Sequence, residues 1–342
     1  MKKPVIVGLV LLGIVAAYVA TVVVVNRFSA PSAFAEADFH AAPDAEQAKA
    51  RLSVATWNIG YAGMGAEADF VMDLGQQTRP TDEGLVDRNL TAIEAEAARL
   101  GTDVVFFQEA ARPSYSTHGR DVLEGLRRAL PGHGWMYAPE VRTRLVPPPL
   151  RASVGNAIFT RVAAEGAEYR ALPLEPTFEY FAFRKGYKMH ILRLAGPERW
   201  VLINIHLSTF DSAEDDVRGA QVDALMRFAR AEYEAGARVV IGGDWNLRLA
   251  PTEFPHETEE RYRFWIRDFP VQRLPEGWRW AVDPAVPTVR TAHKPYVAGE
   301  NYVLIVDGFL VSPNVGVESV AARDLGFQHS DHHPVIATFL AE

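Results

Sequence analysis

Asp103-Val104-Val105-Phe106-Phe107-Gln108, followed at once by Glu109, is a short and almost wholly apolar run. Apolar character at every position, rather than at alternate ones, marks a strand buried on both faces. Such a strand needs layers above and below it. Just upstream, Asp87–Leu100 carries Leu90, Ile93, Ala97 and Leu100 at helical spacing, and Gly101 supplies the stop. Helix followed by buried strand is the unit of an α/β fold. The alternation continues outward in both directions. Arg51–Asn58 is a β-rich run ending at Gly60, and Arg120–Ala129 is a second helix. Ser153–Thr160, Met189–Ala195 and Trp200–His206 read as strands, with Gly196-Pro197 turning between the last two. Asp215–Glu234 is a long amphipathic helix, Arg238–Ile241 a strand meeting Gly242-Gly243, and Val303–Val311 and Val335–Phe339 the final strands. No repeat period suggests a solenoid. Pro-rich Val146–Leu150 and Trp-rich Glu257–Trp280 read as surface insertions. The expected fold is α/β with two central sheets.

Composition agrees with a large core. The 342 residues are 48% hydrophobic and 23% charged, which excludes a collagen-like or disordered chain. The formal net charge is −8. Residues 1–49 balance, with Lys2, Lys3, Arg27 and Lys49 against Glu36, Asp38, Asp44 and Glu46, so the surplus acid lies after them. A strongly basic nucleic-acid coat is excluded, although a local basic groove is not. There is no cysteine, so thiol catalysis, disulfides and thiolate metal sites are excluded, and any metal must be held by oxygen or imidazole.

The N-terminus reads as an address. Lys2 and Lys3 precede an uncharged apolar run from Pro4 to Val25, long enough for a hydrocarbon core of about 30 Å. A cleaved signal peptide has an apolar stretch of only about 7–15 residues. Residues 1–29 are therefore expected to be an uncleaved signal anchor, a single transmembrane helix, with 30–50 a tether and 51–342 the catalytic domain. Cleavage after Ala33-Phe34-Ala35, giving a secreted form, is the alternative, and a buried core helix a third reading. The basic flank faces the cytoplasm by the positive-inside rule. That puts the large domain on the extracytoplasmic, periplasmic side of the inner (cytoplasmic) membrane.

Nearly every strand finishes in a polar residue that a buried strand would not choose. These are Asn58, Glu109, His206, Asp244 with Asn246, Asp307, and Asp331 with His332. Singly each has a bland explanation: Asn58 caps a turn, Glu109 begins a helix, Asp244-Trp245-Asn246 forms an Asx turn. Together they supply carboxylates, amides and two imidazoles. That set suits a hard cation such as Mg²⁺ and acid/base work on a phosphate ester.

Five segments in order carry a resemblance. Thr56-Trp57-Asn58-Ile59, Phe107-Gln108-Glu109, Asn204-Ile205-His206-Leu207, Gly243-Asp244-Trp245-Asn246 and Ser330-Asp331-His332-His333-Pro334-Val335 resemble the endonuclease/exonuclease/phosphatase superfamily, and Gly155–Arg161 matches a further family strand. This is the fold of pancreatic DNase, abasic-site endonucleases, sphingomyelinases and inositol polyphosphate 5-phosphatases. The resemblance covers about residues 51–342. It implies a DNase-I-like, four-layer sandwich of two packed, mainly antiparallel sheets flanked by helices. It also implies that Asn58, Glu109 and Asp331 hold Mg²⁺, with Mn²⁺ as the other candidate. Asp244 would orient and deprotonate the attacking water, with Asn246 placing it. His332, held charged by Asp307, would meet a phosphate oxygen. At the position of His206 the repair endonucleases carry Tyr, whereas DNases and sphingomyelinases carry His. His206 is then expected to face His332 across the cleft, each ring on its own sheet.

Lesser features complete the reading. His333 should point away from His332 and be structural. Arg184, Lys185 and Lys188, after Phe181 and Phe183, read as a solvated loop or a phosphate clamp. His118 and Arg120 read as surface or cleft residues. Phe264, Trp265, Ile266, Trp278 and Trp280 read as packing of an insertion or as an interfacial patch. The expected substrate is a phosphate ester, a phospholipid or other envelope phosphodiester. A nuclease is the alternative, and a catalytically silent binding module the third reading.

Overall fold

The computed structural model describes residues 3–28, 34–36, 38–174, 185–211 and 215–342. Two mixed sheets pack face to face. The first runs, edge to edge, Val315–Ala322, Val335–Ala341, Arg51–Asn58, Val104–Ala111, Ser153–Thr160 and Gly134–Arg142. In the second, Phe34–Glu36 is followed by Ala164–Ala171, Lys188–Leu194, Trp200–His206, Arg238–Asp244, Asp307–Val311 and Arg279–Ala281. Between them lies one apolar layer that includes Val54, Phe106, Leu202, Val240, Phe309 and Phe339. A second cluster packs Glu83–Leu100 and Val122–Ala129 on the outer face of the first sheet, and a third packs Val217–Glu234 on the second. Helix, sheet, sheet, helix is the expected four-layer arrangement.

Sequence explains the start of each helix. Asp82, Asp121 and Asp216 each stand at an N-cap, their side chains accepting from Leu85, Glu124 and Gly219 N–H. A cap of this type contributes about 1 kcal/mol. The first helix accordingly begins before Asp87, and the other two just after Arg120 and Asp215.

One expected strand, Val303–Val311, is two. Val303–Leu304 pairs with Val289–Arg290, whereas Asp307–Val311 pairs with Arg238–Asp244. The break has a cause in hydrogen bonding. Thr288 Oγ1 accepts the N–H groups of both Val306 and Asp307 at 3.0 Å, and Trp245 N–H bonds to the Val306 carbonyl. Those groups are therefore withdrawn from a continuous ladder. The Trp-rich insertion packs inward: Trp265 and Trp278 are buried, and Trp280 meets Trp245 edge-on at 4.8 Å. Only Phe264 of that group is exposed, and it stacks on Phe210.

Lys3–Phe28 is one helix whose apolar span Pro4–Asn26, of mean hydropathy 2.7, is largely exposed, with Asn26 at its end buried. The segment expected as a tether is docked along much of its length. Phe34–Glu36 pairs with Ala164–Ala171, His40 stacks on Trp135 at 4.1 Å, and the Ala48 N–H bonds to the Ala195 carbonyl. Ala33, and with it the alternative cleavage site, lies outside the described residues. Deleting residues 1–30 is expected to leave a cooperatively folded, detergent-free chain by circular dichroism and gel filtration. Aggregation or loss of the thermal transition would instead place the apolar helix in the core.

Candidate functional site

The cleft lies where the polar strand ends of the two sheets converge, a cavity of about 180 Å³. All the expected residues except Asp307 line it: Asn58, Glu109, His206, Asp244, Asn246, Asp331 and His332. Asp307 stands behind, fully buried.

Backbone geometry aims several of these groups. The ladder between Val104–Ala111 and Ser153–Thr160 slips between Phe107 and Ala110, and Glu109 takes a left-handed φ of 57°. A bulge of this kind re-aims a side chain out of the sheet. A left-handed conformation at a non-glycine residue costs about 1–3 kcal/mol, so the surrounding fold must impose it. Asp244-Trp245-Asn246 does form the Asx turn, with Asn246 N–H bonded to Asp244 Oδ1 at 2.9 Å and Asn246 at φ 49°. Asn58 does cap a turn, its Oδ1 accepting from Gly60 N–H at 3.0 Å. Structural and functional readings coexist here. Gly60, at φ 47°, is required: a Cβ there would lie 2.6 Å from Met64 Cβ and 3.0 Å from Asp331 Oδ1.

Asp244 Oδ2 is the hub. It accepts from Asn58 Nδ2 at 3.0 Å and lies 3.5 Å from His206 Nε2 and 3.7 Å from His332 Nε2. The two imidazoles thus meet at one carboxylate oxygen. His332 Nδ1 bonds to Asp307 Oδ2 at 2.8 Å. Burial alone would lower the His332 pKa, but Asp307 and then Asp244 override it and hold it up at about 10. His206 goes the other way. Burial, reinforced by Lys185 and His332, pushes it well below the ordinary 6.5. One ring stays charged and the other neutral across the neutral range. Lys185 Nζ stands 3.4 Å from His206 Nε2, and an ammonium can only donate. That contact asks for the His206 proton on Nδ1, which faces Glu140 Oε2 at 3.8 Å, whereas Asp244 Oδ2 at 3.5 Å from Nε2 asks for the other tautomer.

Which groups fit a cation? Asp244, Asp307 and His332 bring potential ligand atoms within 4.8 Å of one another. In that trio, however, Nδ1 is committed to Asp307 and the ring is held charged, leaving no lone pair for a metal. Glu109 and Asp331 fit better. Burial raises both; Asp331 adds to the rise of Glu109, which reaches about 7, and Asp244 adds to that of Asp331. Glu109 still keeps 26% of its side chain open to the cleft. Two oxygen donors destabilised by desolvation and by a neighbouring carboxylate are what a hard divalent cation relieves. Asn58 Oδ1 retains one lone pair beside its bond to Gly60.

Other expected residues are not brought here. His118 Nε2 bonds to the Pro80 carbonyl, and Arg120 clamps Asp87 at 2.8 Å and Glu83 at 2.9 Å. His333 is structural: Nδ1 donates to the Pro287 carbonyl, Nε2 accepts from Phe327 N–H, and the ring stacks on Phe327. Lys188 Nζ is held by the carbonyls of Pro139 and Gly186. Phe181, Phe183 and Arg184 lie outside the described residues.

The structure adds groups that sequence reading passed over. Gln108 Nε2 bonds to Thr56 Oγ1 at 3.0 Å and across the sheets to Asn204 Oδ1 at 2.7 Å, locking the two halves of the cleft in register. Arg290, almost fully buried, and Asp73, raised to about 6 by burial, line the wall near Asp331.

The Asp307–His332 pair makes a pH prediction. If the charged ring is needed, turnover should fall as pH rises through about 10, not through 6.5. Asp307→Asn should move that alkaline limb down by at least about one unit, since one unit is only about 1.4 kcal/mol of interaction. A pH–rate profile of both proteins checks it. An unmoved limb would remove Asp307 from that role.

Comparison with known proteins agrees with this arrangement. The family described as Endonuclease/Exonuclease/phosphatase family matches residues 55–332. The endonuclease/exonuclease/phosphatase from Bacteroides vulgatus is 14% identical with a TM-score of 0.54, over 86% of this chain and 100% of that one. TDP2 from C. elegans is 18% identical with a TM-score of 0.50, over 85% and 75%. The Beutenbergia cavernae endonuclease/exonuclease/phosphatase is 19% identical with a TM-score of 0.50, over 85% and 72%. At these identities the likeness is one of fold. No curated protein matches the chain.

Proposed function

Because the chain belongs to the endonuclease/exonuclease/phosphatase family, whose members are phosphoester hydrolases, we propose that it is a membrane-tethered, divalent-metal-dependent phosphodiesterase acting outside the cytoplasm on a phospholipid or similar envelope diester. Residues 1–29 anchor it, 30–50 connect, and 51–342 carry out the chemistry. The observation that carries the reading is the hub at Asp244 Oδ2, with Asn58, His206 and His332 within 3.7 Å and Glu109 and Asp331 beside it.

Asp244 acts as the base for the attacking water. Its Oδ1 is fixed by Asn246 N–H and its Oδ2 by Asn58, so the carboxylate cannot swing away. His332, charged through Asp307, donates Nε2–H to a non-bridging phosphate oxygen as negative charge develops there. His206, neutral, positions the water or the leaving-group side of the diester. Asn58, Glu109 and Asp331 would hold Mg²⁺ or Mn²⁺, which when bound supplies Lewis-acid polarisation of a phosphoryl oxygen.

Lipid is favoured over nucleic acid by three features. They are the Pro4–Asn26 span, the cleft walls of Met64, Phe70, Met72 and Phe210, and a net charge of −8. The family's endonuclease members keep the nuclease as the second reading. Hydrolysis of bis-nitrophenyl phosphate by the chain, lost in the Asp244→Asn variant, separates an enzyme from a silent binding module. No turnover by the wild type on any diester would leave only the module.

A further inference from the structure

The loop between Gly134–Arg142 and Ser153–Thr160 ends in Leu145-Val146-Pro147-Pro148-Pro149-Leu150. Leu145 and Leu150 are 58% and 60% exposed, an unusual place for two leucines at one loop tip. Arg142, Arg144 and Arg151 flank the tip and are all exposed. The loop touches the apolar helix. Asn26 Nδ2 donates to the Arg144 carbonyl at 2.9 Å, and Arg144 N–H donates back to Asn26 Oδ1 at 2.7 Å. The Tyr18 hydroxyl donates to the Leu145 carbonyl.

These contacts place the loop at the end of the span. Asn26 closes the apolar span, and Tyr18 lies eight residues, or about 12 Å, further along the helix towards its N-terminus. A loop bonded to both through neighbouring residues lies alongside the last two turns of the span. Its composition suits that position. Three of the six tip residues are prolines without an N–H, and the Leu150 N–H bonds to the Pro147 carbonyl. Few backbone donors would be stranded in an apolar layer.

On the reading of Pro4–Asn26 as a membrane span, we propose that Leu145–Leu150 is a second membrane contact, inserting beside the anchor while Arg142, Arg144 and Arg151 meet anionic phospholipid headgroups. The contact orients the cleft. Gly134–Arg142 runs in the same direction as Val104–Ala111, with Val141 and Ala111 both in register with Val154. The tip therefore leaves the end of the sandwich that carries Glu109. A helix alone would let the domain tumble about its connection. Helix and loop together hold the cleft's end of the sandwich against the bilayer, which makes lipid of the same leaflet the substrate at hand.

The chain has no cysteine, so single labels can be placed in the full-length protein. Nitroxide labels on Leu150→Cys, on Ala16→Cys within the span and on Glu165→Cys at the far end are compared in vesicles of phosphatidylethanolamine and phosphatidylglycerol. Collision with oxygen, which partitions into lipid, is read against collision with a water-soluble nickel chelate. The expected result is that Leu150→Cys, like Ala16→Cys, is shielded from nickel several-fold more than Glu165→Cys. Ala16→Cys shielded with Leu150→Cys as open as Glu165→Cys would overturn the loop contact and leave the anchor standing. Ala16→Cys open to nickel would overturn both.

Discussion

Asp244→Asn is expected to lower turnover by roughly 10²–10⁴-fold, the scale for a positioned base. Each tenfold is about 1.4 kcal/mol, so the loss is about 3–5 kcal/mol of transition-state stabilisation. The substitution keeps the shape, and an amide oxygen can still accept from Asn246 N–H as Oδ1 does at 2.9 Å. What it removes is the acceptor that faces Asn58, His206 and His332. Substrate affinity should change far less, because the proton is taken only in the transition state. Kinetics on a nitrophenyl diester check it, with His332→Ala expected to fall in the same range. A variant retaining more than about a tenth of wild-type turnover would take its residue out of the catalytic set, since even the low end of that scale is about 100-fold.

Removal of the divalent cation is expected to abolish turnover altogether, and Mg²⁺ or Mn²⁺ to restore it. Glu109→Gln should raise the metal concentration for half-activation by at least about 10–100-fold, the range already seen for outer-shell partners of a metal. The same residue carries a stability signature in the metal-free chain. Its carboxyl is raised from 4.5 to about 7, first by burial and then by Asp331. A group raised above its unfolded value contributes stability that is fully present below that value and lost as pH rises through the folded one. Metal-free wild type should therefore lose stability between pH 4.5 and about 7, and Glu109→Gln should lose less. Thermal melts across that window, with and without Mg²⁺, read both effects. Full activity in excess chelator would contradict the assignment.

How much of this was legible beforehand follows from what each residue answers to. Arg51–Asn58, Ser153–Thr160 and Trp200–His206 were legible to the residue, because each is rich in β-branched and aromatic residues and ends abruptly in a polar group. The edges were not. Ala164–Ala171, with two glutamates and an arginine in eight residues, and the largely exposed Val315–Ala322 carry no burial pattern to read. Their strand state is set by neighbours. The break at Ile305-Val306 was hidden for a related reason, since Thr288, fifteen or more residues away, takes the two N–H groups. Within the cleft, residues at strand ends were found by their chemical type. Arg290 and Asp73 were missed because they reach it from a two-residue strand and a single helical turn, elements too short to leave a pattern. The opposite shifts of His332 and His206 depend on which carboxylate and which lysine each ring meets, and that is a tertiary fact.

Hydrolysis of a membrane phosphodiester can be read against nucleic-acid cleavage in a single reaction. Full-length protein in vesicles containing phospholipid labelled in the headgroup, with supercoiled plasmid in the same Mg²⁺-containing buffer, reports both substrates at once. Metal-dependent release of a water-soluble phosphate or phosphoryl headgroup from the vesicles, absent with Asp244→Asn, is expected while the plasmid stays supercoiled. Nicked plasmid with intact lipid would contradict it and make the protein a tethered nuclease.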